Sequence, residues 1–138
     1  MEVKFYYCQH CGNVVVKFVD AGPIPSCCGD EMTELKANVT DGKMEKHVPS
    51  VTKINDCTIK VEVGTEPHPM LPEHFIQFIY LETENGGQLQ YLHPGSPAVA
   101  TFCCTDRIKR VYEYCSIHGL WKIELCRNCP AGEKLSME

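Results

Sequence analysis

The run 58–63 alternates, with Ile59, Val61 and Val63 on one side and Thr58, Lys60 and Glu62 on the other. That period of two predicts a strand with one buried face. Residues 75–81 are rich in aromatic and β-branched side chains, and 88–92 follows the turn signal Asn85-Gly86-Gly87, so both predict strands. Runs at 98–104, 108–114 and 120–125 continue the series. Short strands at a spacing of roughly 8 to 12 residues, with no long segment of helical periodicity, predict an all-β fold built as an antiparallel sandwich or barrel. Ahead of them residues 37–43 hold Asn, Thr, Asp and Gly and read as a connector. Residues 1–36 form a block of different character, in which 14–19 is the strand-like run. The expected organisation is a small domain at 1–36, a linker at 37–43, the sandwich at 44–126 and a tail at 127–138.

Cysteine content changes the picture of the first block. The chain has 138 residues and ten cysteines, and four of these fall within the first 36 residues, a length that a hydrophobic core alone does not support. Disulfides and metal are the two chemistries that would use them. The N-terminus lacks a basic segment followed by an apolar run, so no secretory signal is expected. The expected compartment is the reducing cytoplasm, where clustered cysteines favour metal. No segment approaches the roughly 20 apolar residues that span a bilayer. The net charge is −5 with both signs interspersed, which argues against a nucleic-acid partner. It also disfavours an anionic ligand at long range unless a local positive charge reverses the field.

Cys8-x2-Cys11, followed after fifteen residues by Cys27-Cys28, supplies four thiolates with the reach to close a tetrahedral cage. Spacing alone fits structural zinc as well as redox-active iron. The adjacent pair lies in a loop between Pro25 and Gly29, where both side chains can swing to one side, and their shared peptide is expected to distort the tetrahedron. His10 reads as a solvated loop residue, since four thiolates already fill the shell. A second group emerges from His47, His68 and His74 in Pro-rich, strand-flanking loops, and from Cys115-x2-His118. Each histidine taken singly is a surface or satisfied core residue; four of them, with a Cys-x2-His among them, point to a shared metal. His93 has no ligand partner nearby in sequence.

Cys8-x2-Cys11-Gly12-Asn13, Cys27-Cys28-Gly29, Glu45-Lys46-His47-Val48-Pro49, His68-Pro69-Met70-x3-His74 and Tyr114-Cys115-x2-His118-Gly119-Leu120-Trp121-Lys122 closely resemble, in order, the motifs of desulfoferrodoxin, the two-domain superoxide reductase. The likeness spans residues 5–123. It implies a desulforedoxin-like N-terminal domain and a seven-stranded immunoglobulin-like sandwich, each with one iron. By the resemblance Cys8, Cys11, Cys27 and Cys28 hold the first iron. His47, His68, His74 and His118 surround the second, with Cys115 as its axial ligand, and Lys46 and Glu45 flank the vacant sixth position. Lys46 would draw in superoxide, although an exposed strand lysine is the plain reading of that residue. Glu45 would cap the oxidised iron. The family also implies superoxide as substrate, a rubredoxin-like electron donor and a homodimer. Phe78 departs from the Trp common in the family, and the tail with Cys126-x2-Cys129 lies outside the pattern.

The rival reading is a non-catalytic electron carrier or zinc-stabilised binding module, which would suit the four thiolates but not an open His4Cys set. A dismutase would need a second superoxide to reduce the iron again, which an electron-rich thiolate ligand disfavours. Cys57, Cys103 and Cys104 are expected to be small buried hydrophobes. For Cys126 and Cys129 a redox pair, a metal half-site and an ordered tail all stay open.

Overall fold

A computed structural model describes residues 2–39, 47–64 and 68–125. The chain divides into two compact units, Met1–Lys36 and Ala37–Glu138. The first holds β1 (Lys4–Tyr7), β2 (Val14–Lys17), β3 (Ser26–Cys27), β4 (Asp30–Glu31) and β5 (Thr33–Glu34). β1 lies between β2 and β5, and β3 pairs with β4 as a separate ribbon. Tyr6, Cys8 and Met32 cluster in its interior, with Val15 and Cys27 packed against them.

The strand expected over 14–19 stops at Lys17, because the chain turns around Asp20. The Asp20 carboxylate accepts bonds from Lys17 Nζ at 2.7 Å, Gly22 N at 2.9 Å and Lys4 Nζ at 2.9 Å, leaving Phe18 and Val19 exposed. Lys17 above all, then Lys4 and the Gly22 N–H, hold the Asp20 carboxyl well below the ordinary range. A depressed folded-state pKa stabilises the fold above the unfolded carboxyl value and loses that effect as pH falls below it. Asp20→Asn is therefore expected to melt earlier than the parent chain at pH 7, with a gap that starts to narrow only below about pH 4 and closes as pH falls on through the lower folded-state value. An equal gap at both ends of that range in thermal melts would refute the assignment.

The second unit carries β6 (Pro49–Asn55), β7 (Thr58–Val63), β8 (Ile76–Thr83), β9 (Gly87–Tyr91), β10 (Val99–Cys103), β11 (Ile108–Cys115) and β12 (Gly119–Glu124). Among the described residues they form two antiparallel sheets, in the orders β10-β7-β6 and β12-β11-β8-β9. Ile59, Val61 and Val63 are all buried, as their alternation requires, and pack with Val51 and Phe102 against Ile79, Leu81, Val111 and Ile123 of the other sheet. The all-β class holds. Asn38, in the stretch read as a connector, runs along β12: its N–H donates to Leu120 O at 3.0 Å, and its side chain bonds Lys122 O and N at 3.2 and 2.9 Å.

The spare cysteines divide. Cys104 is buried in the core, but Cys57 and Cys103 are exposed. Strand alternation turns Phe102 and Cys104 inward and Cys103 outward. Cys57 stands in the β6–β7 turn, where its N–H donates to Asn55 Oδ1 at 2.9 Å. Phe78 is buried and stacks on Tyr114 with ring centres 5.6 Å apart. Cys126 and Cys129 lie outside the described residues.

Candidate metal centres

In the first unit Cys8 and Cys11 stand on a tight loop closed by Gly12 N to Cys8 O and Cys8 N to Asn13 O, both 2.9 Å, and Gly12 takes a φ of 83° that its lack of Cβ permits. Cys27 ends β3, paired with Asp30, and Cys28 opens the β3–β4 turn. One sulfur atom of each of the four lies within 4.8 Å of all the others. Cys11 and Cys27 are 3.6 Å apart and Cys27 and Cys28 3.9 Å, bracketing the ~3.8 Å edge of a tetrahedron whose corners sit ~2.3 Å from a central ion. Within the adjacent pair Cys28 adopts a left-handed φ of 52°, a conformation costing roughly 1–2 kcal/mol.

Without a cation the four thiols compete for protons. The Cys11 N–H, foremost, holds Cys8 down to about 6, while hydrogen bonding to Cys11, Cys27 and Cys8 pushes Cys28 up to about 12. A divalent or trivalent ion reverses that balance, so the donor set fits a metal. His10 is exposed, as expected, and its Nε2 meets Asp30 Oδ2 at 2.6 Å, tying together the two cysteine loops.

The second group is more ordered. His47, His68, His74 and His118 form a closed ring of edge-to-face imidazoles, with successive centroid distances of 4.7, 4.9, 5.0 and 4.7 Å. His47 Nε2 lies 3.0 Å from His118 Nδ1 and 3.1 Å from His68 Nε2. Two nitrogens bound at right angles to one ion ~2.1 Å away stand about 3.0 Å apart. Cys115 Sγ sits 3.5 Å from His68 Nε2 and 3.8 Å from His118 Nδ1, and Cys115 is fully buried while His74 and His118 are partly exposed. All five donor atoms fall within 4.8 Å of one another.

Local structure sets each donor. The Cys115–Gly119 pair closes the β11–β12 hairpin with Gly119 at φ 77°, so a three-residue loop holds Cys115 and His118 side by side. Ser116 pins that loop to the residue after His74: its N–H donates to Phe75 O at 3.0 Å and its Oγ accepts from Phe75 N at 3.1 Å. Leu71 and His74 exchange backbone bonds at 2.9 and 3.0 Å. A bulge shifts the register from Tyr114↔Phe78 to Cys115↔Ile76, which keeps Ile76 and Cys115 both on the core side. His68 Nδ1–H donates to Pro69 O at 2.6 Å, leaving the Nε2 lone pair to face the cluster. Burial, followed by the Pro69 bond acting the other way and by the neighbouring imidazoles, brings His68 down to about 4, so it is neutral and able to ligate at pH 7.

Trp121 braces the ring from behind, stacked on His47 with centroids 4.9 Å apart and donating Nε1–H to His118 O at 3.1 Å. It is the only Trp of the chain. Loading metal-free protein with a transition-metal ion is expected to quench its fluorescence, because the indole lies against an imidazole that faces the ion; unchanged emission would count against metal in this cluster.

One residue escaped the sequence reading. Glu113 is fully buried, neither carboxyl oxygen has a hydrogen-bond partner, and burial pushes it well above the ordinary carboxyl range. It pairs across the sheet with Trp121 and Ile79. The available signal was alternation in β11, which puts Val111, Glu113 and Cys115 on one face. Glu45 and Lys46 lie outside the described residues.

Residues 39–124, more than half of the chain, match the desulfoferrodoxin family model. The desulfoferrodoxin of Syntrophotalea carbinolica is 42% identical over 124 residues, 89% of this chain and 97% of that protein. The chain belongs to the desulfoferrodoxin family. A superoxide reductase of Thermococcus kodakarensis is 36% identical over 103 residues, 62% of this chain and 90% of that family relative. The crystal structure of the superoxide reductase from Treponema pallidum superposes with a TM-score of 0.74 at 31% identity, covering 88% of this chain and 98% of that one. Similarity to known proteins thus extends from sequence to fold.

Proposed function

We propose that the chain is a superoxide reductase that joins superoxide, one electron and two protons into hydrogen peroxide. The observation that carries this is the closed ring of four imidazoles with a buried thiol against it. A purely structural metal is normally enclosed by four ligands and needs no fifth, so an electron carrier or zinc module accounts for the cysteine cluster but not for this one. Family membership supports two irons per chain. Bound ferrous iron supplies the electron.

The ligands are His47, His68, His74, His118 and Cys115. Four neutral imidazoles and one thiolate leave a ferrous site with a net charge near +1, which favours a small anion. Cys115 is the electron-rich donor. Burial pushes its thiol up, and the His118 and Ile117 N–H groups pull it back down, so the sulfur ionises against a cation and stays out of reach of solvent. Lys46 and Glu45 immediately precede His47 in sequence. Lys46 supplies the local positive charge that draws superoxide against the overall −5 and orients protons near the product. Glu45 closes the open side of the ring after turnover. Cys8, Cys11, Cys27 and Cys28 hold the accessory one-electron centre, with zinc as the alternative occupant.

Around this site the assignment adds a domain plan of 1–36, 37–43, 44–126 and 127–138, a rubredoxin-like donor and a homodimer. The cytoplasm suits the eight free thiols of the described residues. Among those residues no helix is long and apolar enough to cross a membrane.

Superoxide pulses delivered to reduced protein test the reaction class. One peroxide formed per superoxide consumed, with no dioxygen, is the reductase result; one peroxide for every two, with dioxygen, is dismutation and refutes it. Lys46→Ala is expected to lower the encounter rate with superoxide by about 10-fold or more and to flatten its dependence on ionic strength. An unchanged rate and salt slope would remove Lys46 from the role.

A further inference from the structure

The second unit has four sheet edges, and three are visibly protected. β12 is covered by the Asn38 bonds, β6 begins at Pro49 and carries Lys53, and β10 follows Pro97, with Gln88 Nε2 donating to Cys103 O at 2.8 Å. The fourth is different. β9 ends the order β12-β11-β8-β9, and among the described residues no strand lies beyond it. Its sequence, Gly87-Gln88-Leu89-Gln90-Tyr91, has no charge, no proline and no bulge, the devices that normally keep an edge from pairing. Leu89 and Tyr91 are 48% and 68% exposed.

Register determines which backbone groups point outward. Leu92 N donates to Gln77 O and Thr83 N to Gly86 O, so the even positions of β9 face β8. The N–H and C=O groups of Gly87, Leu89 and Tyr91 therefore face away from the sheet. The strand is also nearly a palindrome about Leu89. Antiparallel pairing with an identical strand, centred on Leu89, sets Leu89 against its own copy, Gln88 against the partner's Gln90, and Gly87 against the partner's Tyr91. Each outward backbone group then meets an outward group of the opposite kind.

Side chains agree with that register. Gly87 cannot carry a Cβ because the Tyr80 hydroxyl occupies its place. Opposite this glycine the partner's Tyr91 meets no side chain of residue 87, only the Tyr80 hydroxyl already seated there. The aliphatic Leu89 pair would sit on the two-fold axis.

We infer that β9 is a self-association edge, through which a second copy of this chain adds its own β9 antiparallel and joins two four-stranded sheets into one. This takes the two-chain assembly proposed above and gives it a surface. Position 89 provides a specific test, since only a residue on the axis meets itself. By sedimentation of the holoprotein, the parent is expected to be a two-chain particle. Leu89→Lys alone and Leu89→Glu alone are each expected to weaken association by about 100-fold or more through like charges on the axis, and an equal mixture of the two is expected to restore a two-chain particle containing one of each. Recovery in the mixture also shows that both variants are folded. A Leu89→Lys or Leu89→Glu chain that still dimerises with itself as the parent does refutes the edge alone. Charged variants that dissociate but fail to recover when mixed refute the register, and a single-chain parent refutes both edge and assembly.

Discussion

Cys115→Ser is expected to lower the rate of superoxide reduction by about 100-fold or more, beyond the range usual for changes to groups that merely support a ligand. A serine hydroxyl is close in volume to the thiol but remains protonated at pH 7 and is a poor electron donor. The fold should survive, because the β11–β12 pairs on either side do not depend on the sulfur, and the N–H groups of His118 and Ile117 that bond it can bond an oxygen. Loss of rate should therefore come with loss of the sulfur-to-metal absorption band, while thermal unfolding of the second unit changes little. A serine variant that reduces superoxide at the parent's rate would overturn the assignment of this cysteine, and with it the chemistry derived from the ring.

Withdrawing metal from the first unit should have an equally large effect on structure. A block of 36 residues lies below the size at which a core sustains itself, about 40 residues. Among its described residues only Phe5, Tyr6, Cys8 and Met32 are buried apolar groups. A thiolate-bound ion is worth about 10–16 kcal/mol in comparable small domains, far more than those side chains supply. Cys8→Ser with Cys11→Ser, or a strong chelator under reducing conditions, is expected to abolish hydrogen-exchange protection at residues 4–7 and 14–17 while β7, β8 and β11 stay protected. Persistent protection in the first block would show that packing alone suffices.

Much of this architecture was legible because burial on one face writes itself as alternation. β7 matches its expected span residue for residue, and β8 to β12 differ from theirs only at the ends. β6 was not expected: it opens on Pro49, whose missing N–H argues against a central strand, and its inward face carries Val51 but then Lys53, too short an apolar alternation to stand out. β1 was missed for the opposite reason, since Phe5, Tyr6 and Tyr7 are consecutive and show no period. Cys103 was expected inside because cysteine usually is, yet the phase set by Phe102 turns it out. The cysteine cluster could be read from spacing. A shared metal was suggested by Cys115-x2-His118 and the histidines of the Pro-rich flanks, but the closed ring could not be read, because its members arrive from three separate connections, ahead of β6, between β7 and β8 and between β11 and β12; the bonds from Ser116 and Pro69 that aim them have no local signature at all.

The hairpin between β11 and β12 is thereby locked in length as well as in composition. Gly119 must bend where it does, Ser116 must reach Phe75, and two donors ride on the same short arc. Most surface turns accept an inserted residue at small cost, but one added here would swing His118 out of the ring while leaving the strands paired. A chain lengthened at this point would keep its shape and lose its metal.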